Sequence, residues 1–194
     1  MEKEIYLSNF QVYQDIVINN YDLYTKMKKC LKNTTDQALY DMAISTIMHQ
    51  YAIQIIVFSA LSIEAFINDY LLRYLGDKYF TLIDTHDTKS KFLLGIKMIT
   101  DNDFPKDGTS YSYFYRLMIL RNKLVHCKSI KYVLGKPLDS VKTYNIIKDS
   151  DVEHSIKVYD LIINELCVLH PNIDEYYMQI AVLNNKKLKD ISNS

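Results

Sequence analysis

The chain has 194 residues, 48% of them hydrophobic and 24% charged, a composition that excludes disorder and suits one globular domain better than two. Lys plus Arg and Asp plus Glu both number 23, giving a formal net charge of zero, which excludes wholesale electrostatic capture of nucleic acid and leaves a local basic patch as the route to it. Four Gly and three Pro are too few for the many tight turns of a β-sandwich, so long helices with few connections are expected.

Ser8-x-x-Gln11 and Thr34-x-x-Gln37 match the capping box, in which two side chains satisfy orphan donors at a helix start. The first predicts a helix to about Leu31. The second predicts a long, interrupted helix from Asp36 to Leu75, ended by Gly76. Within it, Ala52, Ile56, Ser59, Ile63, Phe66, Ile67, Tyr70 and Tyr74 form one stripe at helical spacing, while Ile53, Val57, Ala60 and Leu61 form a second. A helix apolar on both sides belongs at the centre of a bundle or against a partner chain. Its most apolar run, Ala52 to Ile63, contains Gln54, Ser59 and Ser62 and meets Glu64, so it reads as a core helix and not a membrane span.

A third helix is expected over Lys89 to Ile99, then a loop from Pro105 to Ser110. A fourth runs from Ser110 to Cys127, with Phe114, Leu117, Leu120, Leu124 and Val125 facing the core. Near 130–147, two apolar runs flank Gly135-Lys136-Pro137 and suggest a short hairpin or an irregular insert. Ser150-x-x-Glu153 predicts the cap of a helix to His170, stopped by Pro171, with Val152, Ile156, Tyr159, Ile163 and Leu166 inward. A last helix is expected from Ile173 to Leu188, with a polar tail from Lys186 that frays. The reading is an all-α antiparallel bundle, a four-helix core plus extra C-terminal helices, in one domain over 1–190.

Cys30, Cys127 and Cys167 are scattered and odd in number, without C-x-x-C, so neither a disulfide framework nor a zinc knuckle is expected. His49, His86, His154 and His170 lack metal-ligand spacing, and no metal or cofactor is expected. The cysteine usage suits a reduced, cytoplasmic location, and Met1-Glu2-Lys3-Glu4-Ile5 has acids where a signal peptide carries bases.

Two islands carry the polar chemistry. In Ser59-Ala-Leu-Ser-Ile-Glu64-Ala-Phe-Ile-Asn68, Glu64 and Asn68 stand four apart on one helix face, in line with Ile53, Val57 and Leu61. A carboxylate partly dehydrated by apolar neighbours needs a cation or donors. The second island is Arg121-Asn-Lys-Leu-Val-His126. Asn122 and His126 share a face, whereas Arg121 and His126 lie about 140° apart. Arg offers a fixed fork of donors for phosphate, and His titrates near neutrality; metal-free phosphodiester cleavage requires both. Cys127 beside His126 is not read as a nucleophile pair, because adjacent helical residues point about 100° apart. Lys123, Lys128, Arg116 and Tyr115 are candidate RNA contacts, and Tyr111, Tyr113 and Tyr115 form a cluster beside this helix, more of it packing than base stacking.

R-N-x-x-x-H near a helix end, preceded by S-x-E-A-x-x-N on an earlier helix, resembles the HEPN superfamily of small helical bundles, over roughly Gln50 to Ser129. The motif-bearing core is about 36–129. The resemblance implies a homodimer whose two Arg-x4-His motifs face one cleft. Active members are metal-independent endoribonucleases of toxin–antitoxin, abortive-infection and other antiphage systems; others only bind nucleotides or proteins. It implies Arg121 and His126 as catalytic, Asn122 and Asn68 as supporting, and Glu64 as orienting Arg121. One branch of the family carries a modified Tyr two residues after the His; here Lys128 stands there. The rival expectations are a structural Arg121–Glu64 pair, and an interaction module that binds a phage or host protein, an antitoxin or a nucleotide.

Overall fold

A computed structural model of the chain describes residues 9–33, 35–37, 43–126 and 147–193. The helices are α1 (Phe10–Lys32), α2 (His49–Ile83), α3 (Thr88–Thr100), α4 (Thr109–Val125), α5 (Asp149–Leu169) and α6 (Glu175–Asn193), with a π-helical turn at Ala43–Met48 leading into α2. There is no strand among the described residues, and the chain is an all-α bundle. The hairpin or insert expected near 130–147 falls on positions outside the described residues, apart from Ile147, as do Ser8, Thr34, Cys127 and Lys128.

The centre is α2. Its row Ile55, Ile56, Ala60, Ile63, Phe66, Ile67, Tyr70 and Leu71 is almost wholly buried, and α1, α3, α4 and α5 all pack against it. Enclosure on so many sides explains why an amphipathic pattern is weak here: most positions meet another helix. By length and composition the span Thr46–Ile83 could cross a membrane, but 61% of its most apolar window is buried inside the bundle, as in a core helix. The second stripe is less covered. Ala60 is buried, while Ile53, Val57 and Leu61 are half-buried.

Gly76 interrupts α2 without ending it. Its φ of 72° and ψ of 165° lie in a region that is essentially glycine's alone. The expected helix end is therefore a kink, and a second helical run continues to Ile83, burying Ile83 and bringing Asp84 beyond it to Lys91. At Gly95 the requirement is space: a Cβ there would overlap the Leu71 side chain, so α3 lies tightly on α2.

Several termini differ from expectation for local reasons. α3 is capped by the Asp87 carboxylate, which accepts from the backbone N–H groups of Lys89 and Ser90 at 3.1 and 3.3 Å. α5 is opened by Asp151, not by the Ser150–Glu153 box: Asp151 Oδ2 accepts from the Lys148 N–H at 2.9 Å, whereas Glu153 accepts from Tyr21 Oη. α6 begins at Glu175 and runs to Asn193. Its tail is held where fraying was expected, because Lys187 pairs with Asp15 at 2.8 Å and Leu188 and Ile191 pack on the α1–α2 core. On α4, Val125 is 52% exposed, contrary to expectation. It follows Arg121 on the same row, where the helix has already passed the apolar core.

Asp160 on α5 is buried, and its Oδ1 has no hydrogen-bond partner. Burial lifts its carboxyl to about 7, opposed only by a contact from the Asn185 amide. Raised above the unfolded value, this group favours the fold most at acid pH, and that contribution is lost as pH rises through about 7. Asp160→Asn is therefore expected to raise the melting temperature at pH 8 and to have little effect below pH 4. Calorimetry across that range checks it; an equal effect at both ends overturns it.

Candidate functional site

The two polar islands meet. Glu64 and Asn68 project from one face of α2 into a cleft of about 490 Å³, bounded by α3, α4 and the 84–87 turn. Arg121 of α4 reaches Glu64, with Nη2 3.5 Å from Oε2, and Nη1 donates to the neighbouring Asn122 Oδ1 at 3.0 Å. The Glu64 contact is long for a hydrogen bond, so the pair is chiefly electrostatic and leaves most of the guanidinium fork uncommitted. On its other oxygen Glu64 accepts from the Thr88 hydroxyl at 3.1 Å, which ties the first turn of α3 to α2.

A turn further along α2, Asn68 Oδ1 accepts from Lys91 Nζ at 2.9 Å, and Asp84 Oδ1 accepts from the same ammonium at 2.6 Å. Lys91 is 5% exposed. A cation so deeply placed needs such partners, and the Phe80 ring lies 5.6 Å away as well. Sequence reasoning missed Lys91, Asp84 and Thr88. The available signal was a charge on the apolar face of α3, in register with Phe92, Gly95 and Ile96, together with the Asp87-x-x-Ser90 cap.

The remaining candidates divide by angular position on α4. Tyr115, Asn122 and His126 share a row. Tyr115 is 43% exposed and lies under Lys89 Nζ at 4.4 Å from the ring centroid, with Tyr111 stacked beside it. Lys89 itself lines the cleft. His126 is the exposed C-cap of α4, its N–H bonded to Asn122 O at 3.0 Å; it stands a turn beyond the cleft and does not line it. Lys123 is exposed on another side. Arg116 faces α5, where Nε donates to Asp151 Oδ1 at 2.6 Å and the Asp151 side chain is 0% exposed; its guanidinium holds α4 to α5. Lys128 lies outside the described residues. Among those described, no three His, Cys, Asp or Glu are grouped as metal ligands.

No family model, curated protein or solved structure matches the chain.

The two arginines of α4 therefore stand in opposite energetic situations. Arg121→Ala removes one partner of a pair roughly a third exposed on both sides and should change unfolding free energy by less than about 1 kcal/mol. Arg116→Ala strands a buried carboxylate and should cost about 3 kcal/mol. Urea unfolding of both variants checks the order. Equal losses would remove the distinction between a scaffold arginine and a site arginine.

Proposed function

We propose that the chain is a metal-independent endoribonuclease of HEPN type that acts as a cytoplasmic toxin or antiphage-defence effector. The observation that carries the reading is the Arg121–Glu64 pair, which joins the two sequence islands in one cleft. Arg121 would hold the scissile phosphate with the donors that Glu64 and Asn122 leave free, and stabilise charge on its non-bridging oxygens as the bond changes. The ribose 2′-hydroxyl would attack the adjacent phosphorus, and the 5′-oxygen of the next nucleotide would leave, giving a 2′,3′-cyclic phosphate. His126 would take the hydroxyl proton or supply one to the leaving oxygen. DNA, lacking the 2′-hydroxyl, would resist.

A homodimer fits this chemistry, because His126 stands outside the cleft of its own protomer. Ile53, Val57 and Leu61, half-buried and in line with Glu64, offer a second copy an apolar face on α2. Sedimentation equilibrium should give twice the 22.8 kDa chain mass, and Val57→Glu should return it to the monomer; a wild-type monomer at all concentrations overturns the dimer.

The deciting assay is cleavage of total RNA and of a defined tRNA in EDTA. Wild-type protein should yield cyclic phosphate ends, and Arg121→Ala and His126→Ala should each lose about 10²- to 10⁴-fold in rate. Metal-dependent cutting, or equal cutting of DNA, overturns the mechanism. The second reading is a non-catalytic module of the same fold that binds a phage or host protein, an antitoxin or a nucleotide. The neutral net charge and the position of His126 outside the cleft favour it. It takes precedence if folded wild-type protein leaves every RNA intact.

A further inference from the structure

The Arg121 end of the cleft accounts for only half of its polar groups. The lining holds three carboxylates (Glu64, Asp84, Asp87) and three cations (Lys89, Lys91, Arg121), so its formal charge balances. Its hydrogen bonding does not. Glu64 accepts from Thr88 on one oxygen and pairs with Arg121 on the other, and Asp84 Oδ1 accepts from Lys91. An ammonium has three N–H groups, and Lys91 uses two of them, on Asn68 and Asp84. The Asn68 amide N–H groups have no acceptor among the described residues, and neither do those of Asn122. A nearly buried ammonium with a spare donor, beside an amide with two, forms a site short of acceptors; its natural complement is an oxygen-rich anion.

These donors are spaced from Arg121 in a definite way. Glu64, the partner of Arg121, and Asn68, the partner of Lys91, are one turn apart on α2, about 6 Å along its axis. That separation is of the order of the step between successive phosphates of an extended strand. We propose that Lys91 and Asn68 form a second phosphate subsite, which holds the phosphate next to the one at Arg121. The inference rests on the reading that the cleft takes RNA, and it deepens that reading: the substrate is a strand with at least two consecutive phosphates, and a dinucleoside monophosphate fills only half of the site. Asp84 limits the subsite, since its carboxylate competes with the incoming phosphate for the same ammonium.

The test is equilibrium binding, independent of cleavage. The probes are a 2′-O-methyl dinucleotide, which cannot form a cyclic phosphate, and the same dinucleotide with a 5′- or a 3′-terminal phosphate. One phosphorylated form should bind wild-type protein about tenfold more tightly than the unphosphorylated one, the scale of one charge-assisted hydrogen bond. Lys91→Met should abolish that gain, whereas Arg121→Ala should weaken all three probes and leave the gain in place. Lys91 is buried, so a second variant guards against misfolding. The Asp84 side chain is 52% exposed, and Asp84→Asn should enlarge the gain by freeing Lys91. A gain that survives Lys91→Met, one that shrinks or stays level in Asp84→Asn, or no gain in the wild type overturns the subsite. Cleavage without the phosphate gain leaves the ribonuclease reading and removes the subsite. The gain without cleavage does the reverse.

Discussion

Several polar side chains enclosed on the central helix, though not Ser59, are met by partners from neighbouring helices, and in this bundle those meetings fix how the neighbours dock. Ser62 takes Gln14 of α1 and itself donates to the Phe10 carbonyl. Asp69, fully enclosed, accepts from Arg73 and from Tyr177 of α6. Glu64 draws in Thr88 and Arg121, and Asn68 draws in Lys91. Apolar burial supplies most of the cohesion but is indifferent to register, because one aliphatic contact resembles another. Hydrogen bonds to enclosed polar groups are specific: a helix shifted by one residue would leave a donor or an acceptor unmatched. The cleft arises where this matching is loosest, between α2, α3 and α4.

The arginines of α4 show how one residue type is used in two ways within five positions. Arg116 meets a carboxylate that no water reaches, and that carboxylate also receives the Lys148 N–H at the start of α5. Its cost of removal is set by desolvation. Arg121 meets a carboxylate that remains partly hydrated, at a longer distance, so the pair can separate at little cost. The two pairs therefore differ in how firmly each arginine is held.

Much of the bundle was legible in the sequence, and for one reason. The stripe from Ala52 to Tyr70 and the inward row Val152, Ile156, Tyr159, Ile163 and Leu166 follow the helical period without interruption, and both are buried. Helix ends were less legible because competing caps lie within three residues of each other, as with Ser150 and Asp151, and tertiary contacts choose between them. Val125 and the tail of α6 misled for a related reason: periodicity tells which side a residue is on, not whether another helix extends far enough to cover it. Of the site, an apolar stripe that ends in a carboxylate asks for a cation, and it was the family resemblance that implied Arg121 as that cation; the two do meet. Lys91 and Asp84 could not be anticipated, because their pairing depends on a turn whose direction no local pattern encodes.

That turn is governed by Gly76. Open space surrounds the position a Cβ would occupy there, so no neighbour forbids a larger residue; the constraint is the backbone torsion alone. The torsion redirects residues 77–83, and just beyond that run Asp84 meets the ammonium of Lys91. The electrostatic potential in the cleft is thus written into a dihedral angle eight residues away from the carboxylate it positions, and the protein can retune that potential by hinge chemistry without altering any residue that lines the cleft.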